Sequence, residues 1–262
     1  MVKFNDFTIT SLDTVTALGL NGALRFILDE LQELTIANTQ EKIDITGKQG
    51  RKINSLKRNK AVTVSGANGL ISGGMIETQT GGKFEYETDA EVEYSDYLVI
   101  AGNKATTTYT AAGTAGNEVI GVYVKDAAGV ANTLLEQDTA AGEGTFAYNP
   151  GTKELTFEDG AYADGTEIVV VYKHKVEGNV LTNESDNFSE KVALYIDGIA
   201  EDKCMKQYHC QFYIPVADFD GNFDLAMGGD QTVHNFEAES LAGTCGNGDF
   251  FWKCTIFGVE AA

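Results

Sequence analysis

Side chains able to do covalent, acid–base or metal chemistry are few and scattered in this chain. The nucleophile and soft-ligand inventory is three histidines (His174, His209, His234) and four cysteines (Cys204, Cys210, Cys245, Cys254). A Cys–His nucleophile can be drawn from Cys245 and His209. Nothing in the sequence brings the two together, and such chemistry needs them within hydrogen-bond reach. Five residues separate Cys204 from Cys210 and eight separate Cys245 from Cys254. Neither is the close C-x2-C pairing of zinc sites, even with His209 and His234 nearby. Free buried thiols in a reducing compartment are the expectation, although four cysteines also permit three disulfide connectivities. The three histidines lie in or beside strand-like sequence, where a packed neutral imidazole is the ordinary state. ADFDGNFD (217–224) offers Asp218, Asp220, Asn222 and Asp224 as oxygen donors. It lacks the sixth-position glycine and the closing glutamate of a calcium loop, and Asp220-Gly221 reads as a two-residue hairpin turn. There is no G-x-S-x-G, P-loop or H-E-x-x-H, and the glycine-rich GANGLISGG (66–74) is not expected between a strand and a helix. The residues point away from an enzyme and imply no metal and no cofactor.

Charge is distributed far less evenly than chemistry. The net charge is -20, from 19 basic and 39 acidic side chains. GKQGRKINSLKRNK (47–60) nevertheless holds six cations, Lys48, Arg51, Lys52, Lys57, Arg58 and Lys60, and no anion, so the remainder carries 13 minus 39, or -26. Such a cluster suits phosphate through counterion release. The field of the whole chain repels free nucleic acid and anionic membrane and favours cationic or self-complementary partners.

The opposite extreme is EYETDAEVEY (85–94). Side chains alternate across a strand, so Glu85, Glu87, Asp89, Glu91 and Glu93 are expected on one face. Tyr86, Thr88, Ala90, Val92 and Tyr94 are expected on the other, packed one. The acidic row, ~33 Å long at ~3.3 Å per residue, reads either as a solvated outer face or as a wall turned to a polyanion that must not stick. Its carboxylates converge too poorly for calcium.

These charged stretches must be positioned by strands. EIVVVYKHKV (167–176), KVALYIDGIA (191–200) and QYHCQFYIPVADF (207–219) are β-branched and aromatic, with turn signals such as Asn149-Pro150-Gly151 between them. Many glycines (29) and few prolines (2) allow tight turns while keeping backbone donors for ladders. LRFILDELQEL (24–34) fits a helix by its leucine and isoleucine spacing and a strand by its phenylalanine and its continuation; a loop holding the basic segment is expected after it. Residues 96–177 change texture, with four compact strand candidates (EVIGVYVKD, GTFAY, KELTF, EIVVVYKHK) set among Ala, Gly and Thr. They read as a small β-sandwich inserted into a larger domain formed by 1–95 and 178–262. MVKFNDFTITSLD has no basic-then-apolar export pattern and no run of eighteen apolar residues occurs, so a soluble protein is expected. The fold class is all-β, with at most one or two helices.

LDELQELTIANTQEKIDITGKQGRKINSLKRNKAVTVSG and NGLISGGMIETQTGGKFEYET, with KVALYIDGIAEDKCMKQYHCQFYIPVADFDGNFDLAMGGDQTVHNFEAESLA and FFWKCTIFGVE, resemble tail tube (major tail) proteins of tailed bacteriophages over about 1–95 and 178–262. The middle, notably GTKELTFEDGAYADGTEIVVVY, is similar to the immunoglobulin-like modules carried by virion proteins. The resemblance implies a virion protein made in the host cytoplasm, with a tube-type β-sandwich or barrel core that closes into hexameric rings. Rings would stack into a channel for genome and tape-measure protein, ending at tail terminator and baseplate or tail-tip proteins. Double-stranded DNA would pass without specific binding, no membrane would be involved, and the inserted module would face outward. Glu85 to Glu93 would then be the lumen wall, and the basic segment a loop or long-hairpin arm docking on the next subunit. A virion decoration or adhesin-like protein using its module to bind host polymer is the alternative reading.

Overall fold

The computed structural model describes residues 6–126, 128–225, 233–242 and 249–258. Contacts divide the chain into a first unit, residues 1–84 and 181–262, and a second, residues 85–180. β1 (Phe7–Gly19), β2 (Leu24–Leu28), β3 (Leu31–Thr46), β4 (Lys52–Asn68) and α1 (Gly73–Thr80) precede the second unit. That unit holds β5 (Glu85–Val99), β6 (Lys104–Thr106), β7 (Val119–Lys125), β8 (Ala131–Asp138), β9 (Thr145–Asn149), β10 (Glu154–Phe157) and β11 (Glu167–Val180). β12 (Lys191–Asp202), β13 (Gln207–Phe219), β14 (His234–Ser240) and β15 (Lys253–Gly258) return to the first. The protein is all-β apart from α1 and a 3-10 turn at Lys48–Gly50 among the described residues.

In the first unit the strand order is β2-β1-β12-β13-β14-β4-β3, with β15 also paired to β13. Its two outer strands, β2 and β3, are consecutive in the chain, joined only by Asp29 and Glu30. Three Cα–Cα steps of 3.8 Å bridge at most ~11 Å. Seven strands laid flat at ~4.8 Å spacing would set the outer two ~29 Å apart. The link is therefore satisfied only if the sheet curls into a half-barrel, and the core confirms the curl. Phe26 and Leu28 of β2 and Leu31, Leu34 and Ile36 of β3 join one cluster with Val15, Val64, Leu194, Ile196, Ile214, Phe219 and Phe236. Each fully buried aliphatic or phenyl side chain here is worth ~1.5–3 kcal/mol of transfer free energy.

The stretch 24–34 is thus two strands. Its helix-like spacing arises from two short alternating runs meeting at a turn: Phe26 and Leu28 are buried while Leu24 and Ile27 are exposed. The helix lies instead at Gly73–Thr80, where Ser72 Oγ accepts the Met75 amide (3.4 Å) and Gly81, at φ 72°, closes the C-terminus. The first is an ordinary helix start and the second an ordinary stop. Met75 is fully buried in the core. Gly74 is what lets the helix sit so close to β2, since a Cβ there would lie 2.3 Å from the Arg25 carbonyl oxygen.

The second unit follows the path β5-β11-β7-β8-β9-β10-β6, antiparallel except at β8–β9. Ile100, Val122, Leu135, Phe146, Leu155, Ile168, Val170 and Tyr172 fill its core. The Asn149-Pro150-Gly151 turn forms as the sequence implies: β9 and β10 pair antiparallel from Asn149↔Glu154, and Asn149 Oδ1 accepts the Gly151 amide at 3.0 Å. Buried Asp96 takes hydrogen bonds from the Tyr172 hydroxyl, the Thr108 amide and the Thr108 hydroxyl, each 2.7 Å, and the Tyr172 hydroxyl accepts the Tyr109 amide at 3.0 Å. The division falls at 84/85 and 180/181, where 95/96 and 177/178 were expected, so the acidic strand lies wholly in the second unit.

Candidate functional site

The basic segment is not a loop. It is the turn and returning strand of a long hairpin, β3–β4, paired from Asn38↔Val62 to Thr46↔Lys52. The 3-10 turn reverses the chain, with Gln49 and Gly50 at positive φ. Apart from half-buried Ser55, burial on β4 begins only at Ala61, so Lys52 to Lys60 form an exposed arm ~30 Å long at ~3.3 Å per residue. Residues facing each other across an antiparallel ladder share a side. One side of the arm carries Glu41/Arg58, Ile43/Leu56 and Ile45/Asn54, and the other carries Lys42/Lys57 and Asp44/Ser55. The extra residue Ile53 sits at the register shift near the tip. Beyond the Glu41/Arg58 pair this side turns aliphatic but stays exposed, with Ile45 and Leu56 40% and 54% accessible, and Ile53 at the tip is 64% accessible.

The six predicted cations do not form one pool. Arg58 grips Glu41 with two bonds, Nε to Oε2 at 3.0 Å and Nη2 to Oε1 at 3.2 Å, and Asn59 Nδ2 donates to the same Oε2 at 2.6 Å. Lys52 Nζ lies 2.6 Å from Asp44 Oδ1, and Lys60 Nζ lies 5.5 Å from the Phe251 ring centre. Among the described residues, Lys48, Arg51 and Lys57 have no ion-pair partner, and neither does Lys42, opposite Lys57. Sequence reading missed Lys42 and the apolar side. The alternation in KIDIT and KINSL carries that signal once the hairpin register is drawn from the turn.

The acidic strand departs from its expected geometry. Pairing of β5 with β11 runs in step from Val99↔Glu167 to Ala90↔Val176, then jumps to Glu87↔Gly178. Thr88 and Asp89 therefore both face Glu177, a bulge that reverses the alternation. Asp89, Glu91 and Glu93 share the side of Lys173 and Lys175, whereas Glu85 and Glu87 fall on the opposite side. The two lysines partly neutralise the row: Lys173 Nζ lies 3.3 Å from Glu91 and Lys175 Nζ 3.5 Å from Asp89. Nor is the other face packed as expected, because only Ala90 is buried between Glu85 and Tyr94. Tyr86 instead donates a hydrogen bond to Glu177, which raises its hydroxyl pKa.

The residues considered for chemistry are dispersed. His234 is fully buried, with Ser72 N–H donating to Nδ1 (3.4 Å) and Nε2 2.8 Å from Gln79 Oε1. Because Gln79 Nε2 donates to the Asn235 carbonyl at 3.0 Å, its Oε1 accepts, and the imidazole is the neutral Nε2–H tautomer. Burial lowers its pKa, as that state requires. His174 stacks on Tyr109 at 4.2 Å and His209 on Phe257 at 5.3 Å. Cys245 lies outside the described residues; Cys204 is exposed, Cys210 buried and Cys254 half-buried. Asp220 makes no two-residue hairpin. Its Oδ1 accepts the Asn222 amide at 3.0 Å in a local turn, and β13 pairs with β14 through Ala217↔Ser240. Among the described residues no group of three or more His, Cys, Asp or Glu is placed to hold a metal ion. GANGLISGG does link strand β4 to helix α1, contrary to expectation, because a Gly-Gly start hides the helix. It stands in an antiparallel sheet without G-x-G-x-x-G spacing, so no dinucleotide cradle results.

The surface that stands out is a long arm that carries unpaired cations at its tip and on the Lys42/Lys57 side, and exposed aliphatics near the tip on the other. No curated protein matches the chain. The profile of the YomU/Tube protein family matches residues 7–251, spanning both units, and the chain belongs to that family of phage tube-type structural proteins, components of the virion tail.

Proposed function

We propose that this protein is the repeating subunit of a phage tail tube, with a structural and not a catalytic role. Copies close into hexameric rings, and rings stack into the channel through which the genome leaves, by heterologous contacts that repeat axially. Tape-measure, tail terminator and baseplate or tail-tip proteins are its other partners. The observation that carries this reading is the β3–β4 arm. Residues 41–58 hold six cations against Glu41 and Asp44, in a chain of net charge -20. An arm of that sign and reach is drawn to the acidic surface of another copy, while its apolar side gains by leaving water.

The lumen does not need the acidic strand. Asp89, Glu91 and Glu93 beside Lys173 and Lys175 sum to a single negative charge, too little for a repelling wall. A low affinity for DNA follows from the overall charge of the subunit, acting within a Debye length of ~8 Å. Negative-stain microscopy of the purified protein tests the reading. Hollow tubes or six-fold rings are the expected outcome. Stable monomers or trimers that bind capsids or glycans would instead favour a decoration or adhesin-like protein.

A further inference from the structure

The sulfurs of Cys210 on β13 and Cys254 on β15 lie 3.7 Å apart. The strands pair Cys210↔Ile256 and Phe212↔Cys254, so the two cysteines are diagonal neighbours on one face of the ladder. We propose that Cys210 and Cys254 form a redox-dependent disulfide that staples the C-terminal strand β15 to β13. The sulfurs must close to about 2.05 Å. Side-chain rotation and a small shift of β15, which pairs only with β13 among the described residues, supply that movement.

The two thiols are unequal, which sets the order of events. Cys210 is 2% exposed, and burial, then the hydrogen bond with Cys254, push its pKa up to about 12. Cys254 is half-buried and within reach of solvent. With a small-molecule disulfide such as glutathione disulfide as oxidant, the Cys254 thiolate attacks one of its sulfurs and releases one glutathione thiolate. Cys210 then gives its proton to solvent and attacks the Cys254 sulfur, forming the Cys210–Cys254 bond and expelling the second glutathione thiolate. Two protein thiols are oxidised, one glutathione disulfide is reduced to two glutathiones, and the two protons end on them. The burial of Cys210, which disfavours its thiolate, makes the second step the slow one.

The staple acts on more than two residues. Next to Cys254, Trp252 packs on Phe212 at 5.7 Å and donates to Asn38 Oδ1 at 3.3 Å, while the Phe251 carbonyl accepts the Ser240 hydroxyl at 2.6 Å. Fixing β15 therefore also steadies Trp252, which packs against the core of the first unit. In a reduced chain β15 is held to β13 by its ladder and side-chain contacts alone; oxidant adds a covalent link between the two strands.

The test needs only the purified full-length protein and does not depend on the tube reading. After incubation with glutathione disulfide, denaturing alkylation and peptide mapping by mass spectrometry should find a cross-linked Cys210–Cys254 peptide that dithiothreitol reverses. Closing the loop between them should raise the thermal midpoint by roughly 8–16 °C over the reduced protein. Cys204→Ser and Cys245→Ser should keep both effects and Cys254→Ser should lose both. The proposal fails if Cys210 and Cys254 stay alkylatable while Cys204 takes up glutathione, if Cys254 stops at a glutathione adduct, or if it pairs with Cys204 or Cys245. Should Cys254→Ser not fold, the wild-type peptide map decides by itself.

Discussion

Changing Lys42, Lys48, Arg51 and Lys57 to glutamine removes the arm cations that have no ion-pair partner among the described residues while leaving both internal ion pairs in place. The fold should be indifferent, because these side chains touch solvent and surface substitutions cost under about 0.5 kcal/mol. Assembly should not be. If each cation meets one carboxylate on a neighbouring copy, an exposed pair is worth ~0.2–1 kcal/mol. Four of them contribute about 1–4 kcal/mol per arm, a roughly 5- to 1,000-fold change in the association constant of one contact. The assay is sedimentation of assembled from free protein across a concentration series at several salt levels. The screening length falls from ~10 Å at 0.1 M to ~3 Å at 1 M salt, so wild-type assembly should weaken with salt while the variant is already weak and nearly salt-independent. A variant with Lys52 and Arg58 changed to glutamine is the contrast. It breaks the pairs with Asp44 and Glu41, loosens the arm, and should leave the salt slope close to wild type. A four-fold variant that assembles at wild-type concentrations with a wild-type salt slope would refute the reasoning and make the arm a solvated projection.

Other consequences are simpler to measure. Met75→Ala should cost ~2–5 kcal/mol in denaturant unfolding, since a fully buried side chain is lost where α1 seals the core. Tyr172→Phe should cost ~1–3 kcal/mol, because it strips a donor from buried Asp96 and an acceptor from the Tyr109 amide. The lowered pKa of His234 means the folded state holds the neutral ring, so its contribution is present above the ordinary histidine value of ~6.5 and declines as pH falls below it. Thermal unfolding of wild type and His234→Gln between about pH 8 and 5 should show a steeper acid loss for wild type; parallel curves would rule the ring out as the cause.

The sequence was most informative where a single strand or turn decides its own structure. EIVVVYKHKV and KVALYIDGIA alternate because one side must be dry, and Asn149-Pro150-Gly151 turns whatever surrounds it. It was least informative where a partner decides. The carboxylates of Glu85 to Glu93 alternate on paper, but Glu177 on the opposite strand faces two residues at once, and no local pattern announces that. Leu24 to Leu34 fits helical spacing as well as two strands, and only closure of the half-barrel chooses between them. The basic segment was legible as charge, and a long hairpin was one of its two expected shapes; its internal pairing was not legible, because Glu41 and Asp44, which bind two of its cations, lie on the preceding strand.

The Asp29–Glu30 link and the strand order also set a timetable for synthesis. β1 pairs with β2 at once, but its other neighbour, β12, begins at Lys191, so one edge of the first strand waits until most of the chain has emerged. The second unit shortens that wait in space though not in time. Its first and last residues, Glu85 and Val180, are partners in one ladder, so once it has folded its two ends are neighbours. For the entropy of loop closure the residues between them then count for little, and β12 reaches β1 as though the insertion were a short turn. A domain carried on a pair of adjacent strands is in this sense a folding aid as well as a passenger: cutting or unfolding it should slow closure of the half-barrel even if the finished tube never uses it.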